Sequence, residues 1–256
     1  MHSQRLGRCL FGFGLAGLGL LSLLNRDLAM NWQPVPPWVL GRAPLACASG
    51  AILLLGGAGL FLKTTAAPAA LALTLFVLSW LLLLQLPRVA AGPLSAGNCL
   101  GVGENSLLVT GGWLVFASLT EAVDRWRGFG LAGPRARRVA QLWYAAALPL
   151  IGLSHFVYLD GTISLVPAWL PFRPGWACLT GAGHIAAGFG LLLGVAPRRA
   201  ATLEAAMISG FVLLLHAPGV ASDPGNRLQW TMLCVATAYA GAAWAVAGSL
   251  PDSPRK

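Results

Sequence analysis

The sequence predicts an all-α integral membrane protein of eight transmembrane helices, built as two parallel-oriented four-helix bundle repeats. Three observations carry that expectation. Hydrophobic residues make up 57% of the 256 positions and charged residues only 10%, against about 25% charged in a typical soluble domain. So few charges cannot coat a water-facing surface. The charges that exist fall between apolar runs close to the ~20 residues a helix needs to cross a bilayer. Finally, the two halves of the chain align with each other at an offset of 131 residues. Strand-like alternation is absent, and lipid offers unpaired backbone groups no partner, so helices rather than a β-barrel are expected.

The elements follow in order. Leu6–Leu24, with Arg5 and Arg8 at its start, resembles a signal peptide, but no A-x-A-like site follows closely, so it reads as the first span. Pro44–Leu62, Pro68–Leu86 and Asn105–Val123 complete a first repeat over residues 1–123. "DRWRGFGLAGPRARR", residues 124–138, is rich in Gly and Arg and reads as a basic cytoplasmic linker, with anionic lipid heads as a sharper use for its charge. Val139–Tyr158, Gly175–Ala196, Ala200–Ala217 and Leu228–Leu250 form the second repeat, residues 139–256.

The 17 basic residues divide unevenly across these spans. Arg5, Arg8, Lys63, Arg125, Arg127, Arg135, Arg137, Arg138, Arg198, Arg199, Arg255 and Lys256 fall on one side. Arg26, Arg42, Arg88, Arg173 and Arg227 fall on the other. The positive-inside rule makes the first side cytoplasmic and puts both termini there. The net charge of +9 is therefore a topology signal. Basic residues scattered over short loops do not make the single face that nucleic acid needs. The five cysteines form no CxxC or CxxH, so no metal motif is present. Cys47, Cys99 and Cys178 all fall toward the outer side, where disulfide pairing and free buried thiols both remain open.

At the offset of 131, Val35–Val89 matches Val166–Val220 without a gap, with 19 identities in 55 positions. The informative pairs are Pro36/Pro167, Trp38/Trp169, Arg42/Arg173, Cys47/Cys178, Gly50/Gly181, Gly57/Gly188, Gly59/Gly190 and Pro87/Pro218. An even number of spans per repeat gives both halves one orientation, with a pseudo-twofold axis along the membrane normal. Pro36, Trp38 and Arg42, with Pro167, Trp169 and Arg173, read as a structural corner. Proline ends a helix, tryptophan anchors at the headgroups, and arginine reaches lipid phosphate or caps a helix end.

Ionisable groups at bilayer depth are costly and commonly functional. The second half holds His155, His184, Glu204 and His216, with Asp160 near the surface; its repeat partners are Leu24, Leu53, Leu73 and Gln85 for the first four. The chemistry is thus confined to one copy. His184 lies roughly 14 Å inside its helix at about 1.5 Å per residue, with Thr180 one turn above it on the same face. A polar pocket opening outward and lined by His155, Asp160, Thr180, His184 and His216 is expected, Asp160 serving as a carboxylate partner that fixes the His155 tautomer. Glu204 lies about one turn from Arg199, which suggests a local ion pair. The bland reading of the histidines is interhelical hydrogen bonding.

The second half also carries a histidine-bearing helix, "VPAWLP", "LTGAGHIAAGFGLLLG", "APRRAA" and "LLLHAPGV". Over Val139 to Val246 this resembles the DoxX-like family of small four-helix membrane proteins, with Trp32 to Ala117 as a fainter second copy. The resemblance implies a multi-pass protein of the bacterial inner (plasma) membrane, associated with redox systems and with an oxidoreductase partner protein. It assigns no catalytic residue, and catalysis by the chain alone is not expected. The pocket would then suit a quinone, with His155 or His184 donating to a carbonyl oxygen and moving protons. A haem would need two histidines facing across one cavity, for which His155 and His216 have similar depth. The alternative is a non-catalytic scaffold, partner protein or small-solute carrier.

Overall fold

The computed structural model describes residues 2–120, 126 and 128–251. Arg125, Arg127, Arg255 and Lys256 of the charge count, and the Val123–Asp124 junction, lie outside the described residues. Eight helices are long and apolar enough to cross a membrane, the architecture of a multi-pass membrane protein, and the described residues contain no strand. They are α1 (His2–Asn25), α2 (Arg42–Gly59), α3 (Ala66–Ala91), α4 (Ala96–Leu119), α5 (Gly133–Val157), α7 (Arg173–Leu193), α8 (Pro197–Ser222) and α9 (Arg227–Ser249). A short α6 (Leu159–Leu165) links α5 to α7.

Local chemistry sets several boundaries. Ser95 caps α4 by accepting from the Asn98 N–H at 3.4 Å, so this helix begins nine residues before Asn105. Pro134 sits in the first turn of α5, where its missing N–H costs nothing, and the helix starts at Gly133. Arg135, Arg137 and Arg138 therefore belong to a helix rather than to a linker. In α3 and α8 the turn before Pro87 and Pro218 widens into π-helix, over Leu81–Gln85 and Val212–His216. A proline cannot donate to the carbonyl one turn back, and the wider turn accommodates that loss.

Sequential neighbours pack around a closed circuit, α1 on α2, α2 on α3, α3 on α4, α4 on α5, α5 on α7, α7 on α8, α8 on α9, and α9 back on α1. Helices α4 and α9 also meet across the middle. They are the central pair, with 72% and 67% of their apolar windows buried, against at most 44% for any other span. The circuit is thereby divided into two compartments. One is bounded by α1, α2, α3, α4 and α9, the other by α5, α7, α8, α9 and α4.

Glycine permits the closest approaches. A Cβ on Gly57 would lie 2.6 Å from the Ala16 N and Gly12 O of α1, and one on Gly188 2.9 Å from the Ala145 O of α5. The limits of α2 and α3, Arg42, Ala66, Leu81, Gln85 and Ala91, recur 131 residues on as Arg173, Pro197, Val212, His216 and Ser222. In the first helices the matching contacts are 133 apart. Gly50 faces Gly19, Ser22 and Leu23 of α1, and Gly181 faces Gly152, His155 and Phe156 of α5. The position equivalent to His155 is therefore Ser22, not Leu24.

The corner arginines point back into the corner rather than out to lipid. Arg42 donates to the Val35 and Pro36 carbonyls, and Arg173 to the Val166 and Ile163 carbonyls at 2.9 and 2.7 Å. Trp38 and Trp169 are 77% and 68% exposed, as headgroup anchors would be. All five cysteines are free thiols.

Candidate functional site

The two compartments are filled differently. In the first, Leu53 of α2 and Leu73 of α3 are fully buried in the apolar core. Ser22 is also buried, and Gln85 donates to the Asn31 and Trp32 carbonyls at 3.3 and 3.5 Å. At the same places the second compartment has His184, Glu204, His155 and His216. Beside them lies a cavity of about 430 Å³, the size of a small-molecule pocket.

His155, Thr180, His184 and His216 all line this cavity. Asp160 does not: it is exposed in the first turn of α6 and forms no part of the wall. The carboxylate expected to orient His155 is replaced by a backbone carbonyl. His155 Nδ1 lies 2.9 Å from the Ile151 oxygen, one turn back on α5. A carbonyl can only accept, so Nδ1 carries the proton and Nε2 of the neutral ring presents a lone pair.

His184 is oriented by a different group from the one the sequence suggests. Glu204, expected to pair locally with Arg199, is 1% exposed and turns into the bundle. Its Oε1 lies 2.7 Å from His184 Nδ1, and the His184 side chain is itself 3% exposed. A carboxylate on Nδ1 fixes the tautomer and leaves Nε2 for a ligand. The rings of His155 and His184 stand side by side, 5.0 Å between centroids and tilted by 53°. His216 ends the π-helical turn of α8 and makes no hydrogen bond to a described residue.

The opposite wall comes from the first half of the chain. Glu104 of α4 and Trp32, in the loop after α1, both line the cavity with Tyr239 of α9. Trp32 Nε1 donates to Tyr239 Oη at 2.8 Å and also engages the Glu104 carboxyl. The Trp32 backbone is held there by Gln85 and by Asn105, whose Nδ2 is 3.4 Å from its carbonyl. Sequence reasoning missed Glu104 because the polar run "SAGNCLGVGEN" reads as a loop. The capping pattern at Ser95 was the available signal, and it puts Glu104 eight residues, roughly 12 Å, into a helix. Apolar side chains, among them Ile151, Trp176, Phe211 and Val235, supply most of the remaining lining.

An apolar chamber with a few convergent polar groups suits an amphipathic ring better than a hydrated ion, and the described residues contain no cluster of three or more metal-ligating side chains. No family model, curated protein or solved structure matches this chain.

Proposed function

We propose that this chain is a DoxX-like, redox-associated membrane subunit whose second-half cavity binds a quinone, with an oxidoreductase partner handling the electrons. The buried His184–Glu204 pair, 2.7 Å apart beside an otherwise apolar chamber, carries the reading. Such a pair is costly at bilayer depth, and the other compartment dispenses with it by using leucine at both positions. Its use is to hold an imidazole whose outer nitrogen can exchange a proton with a ring oxygen.

The proposal includes two parallel four-helix repeats in a bacterial inner membrane, with both termini cytoplasmic. The coincident helix limits and the matching glycine contacts support the repeat. The 12-to-5 distribution of basic residues supports the orientation. The cavity would then open toward the outer half of the bilayer.

The test is a calorimetric titration of the purified full-length protein with a short-chain benzoquinone and, under argon, its hydroquinone. His184→Ala is expected to weaken binding of this couple at least tenfold. Unchanged affinity in that variant would remove His184 from the site. Absence of binding to the unaltered protein would end the quinone reading.

A further inference from the structure

We infer that the cavity is entered sideways from the lipid, through a slot between α7 and α8, and that its ligand is a quinone carrying a long apolar chain that lies in this slot. This rests on the quinone reading above and deepens it.

The two helices meet closely only from mid-helix inward. A Cβ on Gly190 of α7 would lie 3.0 Å from the Ala200 Cβ of α8, and one on Gly183 3.0 Å from the Met207 Sδ. Farther out, the π-helical turn Val212–His216 packs on α9. Gly210 borders the cavity there, with nothing within 4 Å of the place its Cβ would take. Trp176 of α7 and Leu214 of α8 line the cavity yet are 42% and 46% exposed. The same side chains therefore border both the chamber and the outer surface of the bundle. Thr180, one turn below Trp176, is seven residues from the corner end of α7, roughly 10 Å, which puts the slot below the headgroups.

The corner end of the cavity is roofed instead. Thr162, Leu165, Val166, Pro167 and Leu170 of α6 and the corner all line it. Arg173 ties that segment down, donating to the Ile163, Ser164 and Val166 carbonyls at 2.7, 3.3 and 2.9 Å. Passage through the roof would break these bonds, and passage through the slot breaks none. The Thr180 hydroxyl is spent within its own helix, on the Trp176 and Ala177 carbonyls at 3.0 and 3.1 Å. An alkyl chain lying beside it strands no donor.

The first compartment closes the same gap. Gly59 of α2 approaches Ala69 of α3 as Gly190 approaches Ala200, again with 3.0 Å to a Cβ. At the positions of Met207, Gly210 and Phe211, however, α3 has Phe76, Ser79 and Trp80. Trp80 is 2% exposed, its ring edge-on to Phe76 at 5.3 Å between centroids. A matching backbone approach with a smaller side chain at all three positions leaves the second gap open. Lipid tails are as apolar as the slot, so a chain gains little affinity by moving into it. What the slot does is let a tailed ring reach His184.

The experiment titrates the full-length protein in lipid nanodiscs with two benzoquinones of the same ring, one bearing a methyl group and the other a decyl chain. Per volume of lipid, the unaltered protein is expected to bind both with affinities within about threefold of each other. Gly210→Phe should weaken binding of the decyl compound at least tenfold and leave that of the methyl compound within twofold. Met207→Phe, which copies Phe76, should act in the same direction by at least threefold and serves where the first variant does not fold. Partition into the bilayer is the same for every variant, so only the slot separates them. A decyl compound excluded by the unaltered protein while the methyl compound binds would overturn the lateral slot and leave the quinone site standing. So would two compounds that respond equally to both substitutions. No binding of either compound would overturn both.

Discussion

Asp27 shows how one exposed carboxylate ties three elements together. It leaves α1, receives Arg227 of α9 at 2.7 Å and lies 3.7 Å from Arg42 of α2. The hydrogen bond from Arg227 holds its carboxyl below the ordinary value of 3.8, with lesser help from the Leu28 N–H and the field of Arg42, and desolvation opposing them. A group with a lowered folded pKa contributes stability above its ordinary value and loses it as pH falls through the folded one. Thermal stability in detergent is therefore expected to fall below about pH 4, modestly because Asp27 is half-exposed. Asp27→Asn should flatten that part of the profile; an unchanged slope would assign it to other carboxylates. Single residues were unevenly legible in the sequence. His155, His184 and His216 stood out because an ionisable side chain in an apolar run is rare. Glu104 did not, because its glycine- and asparagine-rich neighbourhood imitates a loop. The partner of Glu204 was invisible because it lies 20 residues away on another helix.

Elements were more legible than contacts, since span length and hydropathy need no knowledge of packing. All eight spans were marked in the sequence, with ends that shift where capping overrides hydropathy, as at Ser95 and Pro134. The facing helices α7 and α8 carry the one buried pair that their counterparts α2 and α3 replace with Leu53 and Leu73. Removing one member of a buried pair strands the other, at a cost of about 3–5 kcal/mol, whereas replacing both with apolar residues is often neutral or stabilising. Glu204→Leu alone should therefore lower thermal stability sharply. His184→Leu combined with Glu204→Leu should recover most of the loss, because the first compartment already packs leucine at both positions. A double variant no more stable than the single one would mean that the second compartment cannot close around leucine.

At the scale of the whole molecule, two compartments meet along a central pair, α4 and α9, and the second encloses a cavity with polar groups on its wall. The division between a filled and an open compartment could be read from the sequence as the loss of histidine from one copy. The contribution of Trp32 and Glu104 across the central pair could not, because an offset alignment says which residues correspond and not which ones meet. The central claim is that the polar groups of the second compartment exist to bind a ring ligand rather than to hold helices together. The His184→Leu/Glu204→Leu double variant separates these roles directly, since it restores packing and removes the chemistry. Titrated with the short-chain hydroquinone beside the unaltered protein, the folded double variant should show at least a tenfold loss of affinity. Binding equal to that of the unaltered protein would contradict the claim and return the pair to a packing role.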